Sequence, residues 1–237
     1  MKIIVIGAGH AGIEAAYAAA KMGAEAILVT IHLESIGQMS CNPTLGGIAK
    51  GHLVKEIDTL GGLMGRAADK SGIHFKVLNR SKGPAVRATR TQNDRTLYRN
   101  WMKEQLELIP NLKIYQAMVT GLVLEGKRVC GVRLMDGETL VGDSVIIASG
   151  TFLNGKIYIG KQQYSAGRAN EPASIELAED IRALGLKTVR LKTGTPMRVH
   201  SDTVDWTKFE PQPGDEPPQP FSMFTRGKVR NLITCYL

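Results

Sequence analysis

"KIIVIGAGHAGIEAAYAAAKMGAEAILVT", residues Lys2 to Thr30, decides the fold. Ile3 to Ile6 is an unbroken run of β-branched residues stopped by glycine, the pattern of a short strand buried on both faces. Glycines at 7, 9 and 12 follow, and then an alanine-rich helix that runs to about Met22 and is stopped by Gly23. "AEAILVT" supplies a second strand. Strand, glycine bend, helix and strand within about 30 residues make a complete βαβ unit. The fold class is therefore α/β with a parallel sheet.

The bend "GAGHAG" matches the GxGxxG pattern in its required setting, after a strand and before a helix. Its first glycine permits a tight turn, its second lets main chain approach a pyrophosphate, and its third lets the helix pack closely on the strand. The phosphates then meet the positive end of the helix. Gly7, Ala8, Gly9, His10, Ala11 and Gly12 are accordingly the candidate dinucleotide-binding residues, with His10 read as a lining residue and not as a catalyst. An acid usually ends the second strand and holds the ribose hydroxyls. Thr30 stands there instead, with Glu34 four residues on, so Thr30 is the candidate ribose contact, weaker than a carboxylate.

Farther along, "LKIYQAMVTGLVLEGKRVCGVRLMDGETLVGDSVIIASG" reads as strands joined by tight turns at Glu125-Gly126 and Asp136-Gly137, ending in a buried strand from Ser144 to Ala148. "IIASGTFLNGK" places small residues where a chain can pass close to a dinucleotide; with the meander before it, this favours FAD over NAD. A plain strand and glycine turn is the alternative. The expected architecture is an FAD/NAD(P)-binding Rossmann-type three-layer fold of parallel sheet, helices and crossing β-meander, with an inserted smaller α+β domain. The texture changes at Lys156, so the expected division is 1–155 for the first segment of the dinucleotide domain and 156–237 for the insertion. The closing run "NLITCYL" is apolar and strand-like, with no stop signal, which gives the expectation that the chain is cut inside a larger protein.

The 237 residues carry a net charge of +8. Between His74 and Lys103 stand eight Lys or Arg against the single acid Asp94. Charge runs are commonly solvated faces, but this concentration points to a surface that follows phosphates. Lys82, Arg87 and Arg90, read as lying on a loop, are the candidate RNA contacts, with Phe75 or Tyr98 as stacking rings. Three cysteines without CxxC or His-rich spacing suggest neither zinc nor a disulfide framework, and no metal site is expected. No apolar run reaches the ~18 residues of a membrane span, so a cytoplasmic protein that does not meet the membrane is expected.

Five blocks, "GAGHAGIEAAYAAAKMG", "GQMSCNPTLGGIAKGHLVKEIDTLGGLMG", "SKGPAVRATRTQNDR", "GTFLNGKIYIG" and "RLKTGTPMRV", occur in order and resemble the MnmG family, also called GidA. The resemblance covers essentially the whole chain and matches the N-terminal part of longer family members. It implies a flavoprotein that installs an aminomethyl or carboxymethylaminomethyl group at C5 of the wobble uridine of tRNA. It also implies FAD, NADH as reductant, methylene-tetrahydrofolate as one-carbon donor, the GTPase MnmE as partner, and a homodimer for the full-length protein. Gly7 to Gly12 fall on the family's FAD phosphate loop, and Val119 and Ser174 on two further FAD-associated positions. For Ser174 an ordinary helix N-cap is an equal reading.

Chemistry at uridine C5 needs an activated ring, often through a nucleophile adding at C6, and a thiol near cationic groups suits that task. Cys41, in the glycine-rich stretch from Gly37 to Gly62 and nine residues before Lys50, is the candidate nucleophile. The expectation is that its loop reaches the flavin edge; a structural cysteine packed under the cofactor is the alternative. A folate-dependent tRNA uridine methyltransferase or a generic flavoprotein oxidoreductase would share the opening residues. A tRNA- or partner-binding fragment without activity would share the basic block.

Overall fold

A computed structural model describes all residues from Met1 to Leu237. Its elements are β1 (Lys2–Ile6), α1 (His10–Lys21), β2 (Glu25–Thr30), β3 (Thr44–Gly46), α2 (Lys50–Thr59), α3 (Met64–Ser71), β4 (Gly72–Leu78), β5 (Ala88–Asn93) and α4 (Arg95–Glu107). There follow β6 (Leu112–Gln116), β7 (Val119–Glu125), β8 (Arg128–Leu134), β9 (Thr139–Val141), β10 (Ser144–Ile147), β11 (Lys156–Ile159), β12 (Gln162–Ser165), α5 (Glu176–Ala183), β13 (Pro211–Gln212) and β14 (Cys235–Tyr236). The contacts divide into two compact units, Met1–Gly37 with Lys103–Leu191, and Gln38–Met102 with Lys192–Leu237.

The first unit is built on a parallel sheet ordered β10-β1-β2-β6. Ile4, Val5 and Leu28 are wholly buried in its centre. Alanines 16, 19 and 20 on α1 are buried too, small enough to bring the helix axis close to the strands. A three-stranded antiparallel sheet β7-β8-β9 follows, and its turns contain Gly126 at φ +60° and Gly137 at φ +91°. Both are left-handed conformations that glycine adopts without strain. Val119, Leu122, Val132 and Leu134 of this meander pack with Ile4, Ile27 and Val29 of the parallel sheet and with Leu177 and Ile181 of α5 in one core. The fold is the expected Rossmann-type α/β arrangement with its crossing meander.

Strand β10 departs from expectation. The sequence predicts a buried strand, but it lies at the edge of the sheet, pairs only with β1, and leaves Ile146 and Ile147 36% and 38% exposed. An apolar run reports that a strand is hydrophobic, not which neighbours flank it.

The second unit is α+β. An antiparallel sheet β3-β5-β4 carries helices α2 and α3. Phe75, Leu45, Leu63, Tyr98, Met102 and Phe221 are its largest wholly enclosed side chains. The returning segment is fastened by carboxylates. Asp69 accepts from the backbone N–H groups of Phe221 (2.5 Å) and Ser222 (2.8 Å), Asp58 accepts from that of Met223 (2.8 Å), and the Lys55 ammonium donates to the Phe221 carbonyl.

The contact boundaries fall elsewhere than 155/156. Residues from Lys156 to Leu191 belong to the first unit because α5 contributes Leu177 and Ile181 to its core. The stretch from Gln38 to Met102 forms its own sheet and takes in the returning chain after Lys192. A change of composition at Lys156 marked a change of texture, not of packing.

Candidate functional site

The carboxyl ends of parallel strands are where an open α/β sheet binds ligands. Here they bring together Gly7 after β1, Thr30 at the end of β2, Ala117 after β6 and Ala148 after β10. Backbone bonds lock the ring of ends: Gly7 N to Val29 O (2.8 Å), Ala148 N to Ile6 O (2.8 Å) and Ala117 N to Thr30 O (2.9 Å).

The three glycines of the bend differ in what surrounds them. Gly7 is at φ +99°, and a Cβ there would stand 2.5 Å from the Ala148 carbonyl oxygen. A Cβ on Gly12 would stand 1.8 Å from the Gly7 carbonyl oxygen. Both positions are closed by the protein's own backbone. Gly9, the N-cap residue of α1, has nothing within 4 Å of the same point. The absence of a side chain at Gly9 thus relieves no internal contact and leaves the approach to the helix end open.

No side chain caps α1 and no acid lies in its first turn. The first N–H groups of a helix lack intrahelical partners, so those of α1 present a positive end to whatever enters above Gly9. The segment after β2 folds back on the bend, with Gly37 N donating to Ala8 O at 3.0 Å. This geometry fits a dinucleotide pyrophosphate: a positive helix end, main chain without side chains in front of it, and a tight return.

Thr30 is buried, and its hydroxyl donates weakly to the His32 carbonyl at 3.4 Å. Glu34 is held 2.8 Å from the Lys103 ammonium. Val119 and Ser174 are both buried and are brought together across 55 residues, the serine hydroxyl donating to the Val119 carbonyl at 3.4 Å. Ser174 also lies in a backbone bridge with Leu153. The N-cap position of α5 is Ile175, without side-chain capping, so Ser174 does not play the helix-entrance role open to it in the sequence.

Cys41 belongs to the second unit, as do the basic residues. Its thiol donates to the Gly194 carbonyl at 3.0 Å, and the Asn42 amide reaches its sulfur at 4.0 Å. Lys50 donates to the Thr44 carbonyl at 3.2 Å. Desolvation holds Lys50 below the usual lysine range, and the Cys41 sulfur partly offsets that shift. Desolvation and then Arg198 also lower Arg95, while Cys41 again acts in the opposite sense. The thiol is therefore within electrostatic reach of two cations. Arg95, Arg198 and Gly194 were not singled out in the sequence; the available signal was the block "RLKTGTPMRV", which holds the last two.

Of the basic candidates, Lys82 and Arg87 are exposed and adjacent, with Arg87 Nε donating to the Lys82 carbonyl at 3.3 Å. Arg90 is not on a loop. It lies in β5, paired with Gly46 and Lys76, half-buried, because the alternation of "ATRTQN" continues the sheet through it. The two stacking candidates are also corrected: Phe75 is 1% exposed and Tyr98 is fully buried. Both are core rings and neither can meet a base. The positive charge is nonetheless localised, since the second unit carries 17 Lys and Arg against nine Asp and Glu, and the first carries 13 of each.

No helix is long and apolar enough to cross a membrane. The family model described as glucose inhibited division protein A matches residues 2–237. Over 236 residues the chain is 54% identical to the tRNA uridine 5-carboxymethylaminomethyl modification enzyme MnmG of Thermodesulfovibrio yellowstonii, covering 99% of this chain and 38% of that protein. It is 48% identical over 236 residues to the protein of the same name from Syntrophotalea carbinolica, covering 100% of this chain and 38% of that one. The structure of Aquifex aeolicus GidA superposes with a TM-score of 0.94 at 45% identity, covering 99% of this chain and 40% of that chain. The chain thus spans about two fifths of the length of these relatives.

Proposed function

The chain belongs to the glucose inhibited division protein A family, also called MnmG, and from that premise we propose that it carries the dinucleotide-binding and RNA-facing part of a cytoplasmic flavoenzyme that modifies tRNA uridine. The observation that carries the flavin reading is the open Gly9 between two closed glycines at the positive end of α1. The pyrophosphate of FAD would be held by the main chain of Gly7 to Gly12. Thr30 would face the ribose, and Val119 with Ser174 would frame the adenine side. Bound FAD supplies hydride acceptance and donation, with NADH as the reductant.

On this reading the substrate is the wobble uridine. Methylene-tetrahydrofolate gives the carbon, ammonia or an α-amino acid of the glycine class gives the nitrogen, C5 gives up its proton, and the product is the aminomethyl or carboxymethylaminomethyl derivative at C5. MnmE is the partner, and the full-length protein works as a homodimer. Cys41 would add to C6 of the uracil ring and leave again after substitution at C5. What supports it is a thiol on a loop, donating to the Gly194 carbonyl and reached by the Asn42 amide, with Lys50 and Arg95 close enough to interact with it. The exposed Lys82 and Arg87 would follow the tRNA backbone.

Two measurements test the proposal. Purified protein should be yellow and release FAD on heating. Mass spectrometry of tRNA from cells lacking the protein should show unmodified wobble uridine. Colourless protein that does not bind added FAD would exclude the flavin reading. Fully modified tRNA would exclude the reaction.

A further inference from the structure

Trp206, Phe209 and Tyr236 meet on the surface of the second unit. The Trp206 ring centroid lies 5.1 Å from that of Tyr236 and 6.4 Å from that of Phe209, with planes tilted by 53° and 55°. Trp206 remains 48% exposed, and the other two 43% and 42%. Tilted rings at these distances support one another edge to face and leave part of each surface open.

The cluster is held in shape from below. Asp205 accepts from the Thr207 N–H at 3.2 Å and hydroxyl at 2.6 Å, which fixes the 3₁₀ turn Trp206–Lys208. Tyr236 lies in β14, paired with β13. Glu210 and Leu237 exchange backbone bonds of 3.0 and 3.1 Å beside that pair. An aromatic surface that is ordered before anything binds to it loses little rotamer freedom on binding.

Its surroundings carry both signs: Asp205 beside Trp206 pairs with Lys208 at 3.3 Å and Glu210 follows Phe209, while cations approach from β4 and β5. Lys76 and Arg90 lie near enough to Cys235, the neighbour of Tyr236, to favour its thiolate, although burial outweighs them and raises that thiol. Lys76 donates to the Pro213 carbonyl at 2.9 Å, next to β13. The unit as a whole bears the surplus of Lys and Arg described above. Aromatic faces next to positive charge are the two components of single-stranded nucleic-acid binding, one for bases and one for phosphates.

We propose that Trp206, flanked by Tyr236 and Phe209, stacks one unpaired nucleobase of an RNA whose backbone is held by the basic residues of the same unit. The proposal rests on the tRNA reading above and extends it to a place of contact. It supplies the stacking rings that Phe75 and Tyr98, enclosed in the core, cannot provide.

The test titrates the purified protein with a short unpaired oligoribonucleotide and with the same strand lacking its bases. Trp206→Ala should weaken binding of the intact strand roughly 5- to 150-fold, the range one stacked base supplies. The dependence of affinity on salt should stay as in the unaltered protein, because no phosphate contact is lost. Trp206→Phe should recover most of the affinity, and the base-free strand should bind the Trp206→Ala and unaltered proteins equally. Trp206→Leu keeps an apolar contact with Tyr236 without a π-face and repeats the test should the alanine variant unfold.

Unchanged affinity in both the Ala and Leu variants would overturn stacking while leaving the tRNA reading intact. Loss of a protein complex on sedimentation, with RNA affinity unchanged, would assign the rings to a protein contact and equally overturn the proposal. Failure of the unaltered protein to bind either the strand or tRNA at low salt would remove both readings.

Discussion

The Cys41 thiol donates to the main-chain carbonyl of Gly194 at 3.0 Å, across 153 residues of sequence. This bond joins two of the blocks that identify the family, "SCNPTLGG" and "RLKTGTPMRV", and places Arg95 and Arg198 in the same neighbourhood. The thiol is oriented by the backbone of a distant segment, as a group with one task is expected to be.

Cys41→Ser should therefore stop uridine modification and leave flavin in place. Wobble uridine is measured by mass spectrometry of tRNA from cells that carry only the variant, and flavin by the absorbance of the purified protein. Modified tRNA at the normal level would show that the sulfur is structural.

The glycine bend separates folding from binding. Gly7→Ala and Gly12→Ala place a methyl group against backbone oxygens at 2.5 and 1.8 Å, and each should cost ~1–3 kcal/mol or more in stability, read from urea unfolding. Gly9→Ala meets nothing within 4 Å, so its unfolding midpoint should stay near that of the unaltered protein while FAD affinity falls at least tenfold. Equal FAD affinity in Gly9→Ala would place the pyrophosphate elsewhere.

Lys82→Ala combined with Arg87→Ala should weaken tRNA binding for all sequences alike. It should also reduce the slope of log affinity against log salt by about 2, one for each phosphate contact. An unchanged slope would remove both residues from the footprint.

His74 gives a pH dependence of known sign. Burial first, and then Arg90 and Lys76, push it below its ordinary value of 6.5, outweighing the Gln212 carbonyl and Asp215. The folded protein thus prefers neutral imidazole. Its contribution is fully present above 6.5 and is lost as pH falls from there through the lowered value, because the unfolded chain takes up the proton first. Urea midpoints should drop across that interval, and less steeply in His74→Gln. The same slope in both proteins would assign the acid sensitivity to other groups.

The βαβ unit was legible because three local signals agreed: a β-branched run, glycines at 7, 9 and 12, and a stop at Gly23. The turns at Gly126 and Gly137 were equally plain, since each needs a positive φ. The edge position of β10, the strand character of Arg90 and the enclosure of Phe75 and Tyr98 were not legible. Each is decided by neighbours far along the chain, which one sequence without partners does not display. Thr30 was correctly placed at a strand end, but its donation to the His32 carbonyl is a local bond that the absence of an acid does not announce. Gly194 and Arg198 stand in "RLKTGTPMRV", a block the sequence does mark, but nothing local shows that it returns to Cys41.

The even balance of acids and bases in the first unit has a practical outcome at the bench. On a sulfonated resin the molecule is retained through the second unit, so the conductivity at which a variant elutes reads out the charge of that half with little interference from its companion. Ranking substitutions by elution would sort those that alter the charge of the second unit from those that do not, before any nucleic acid is added.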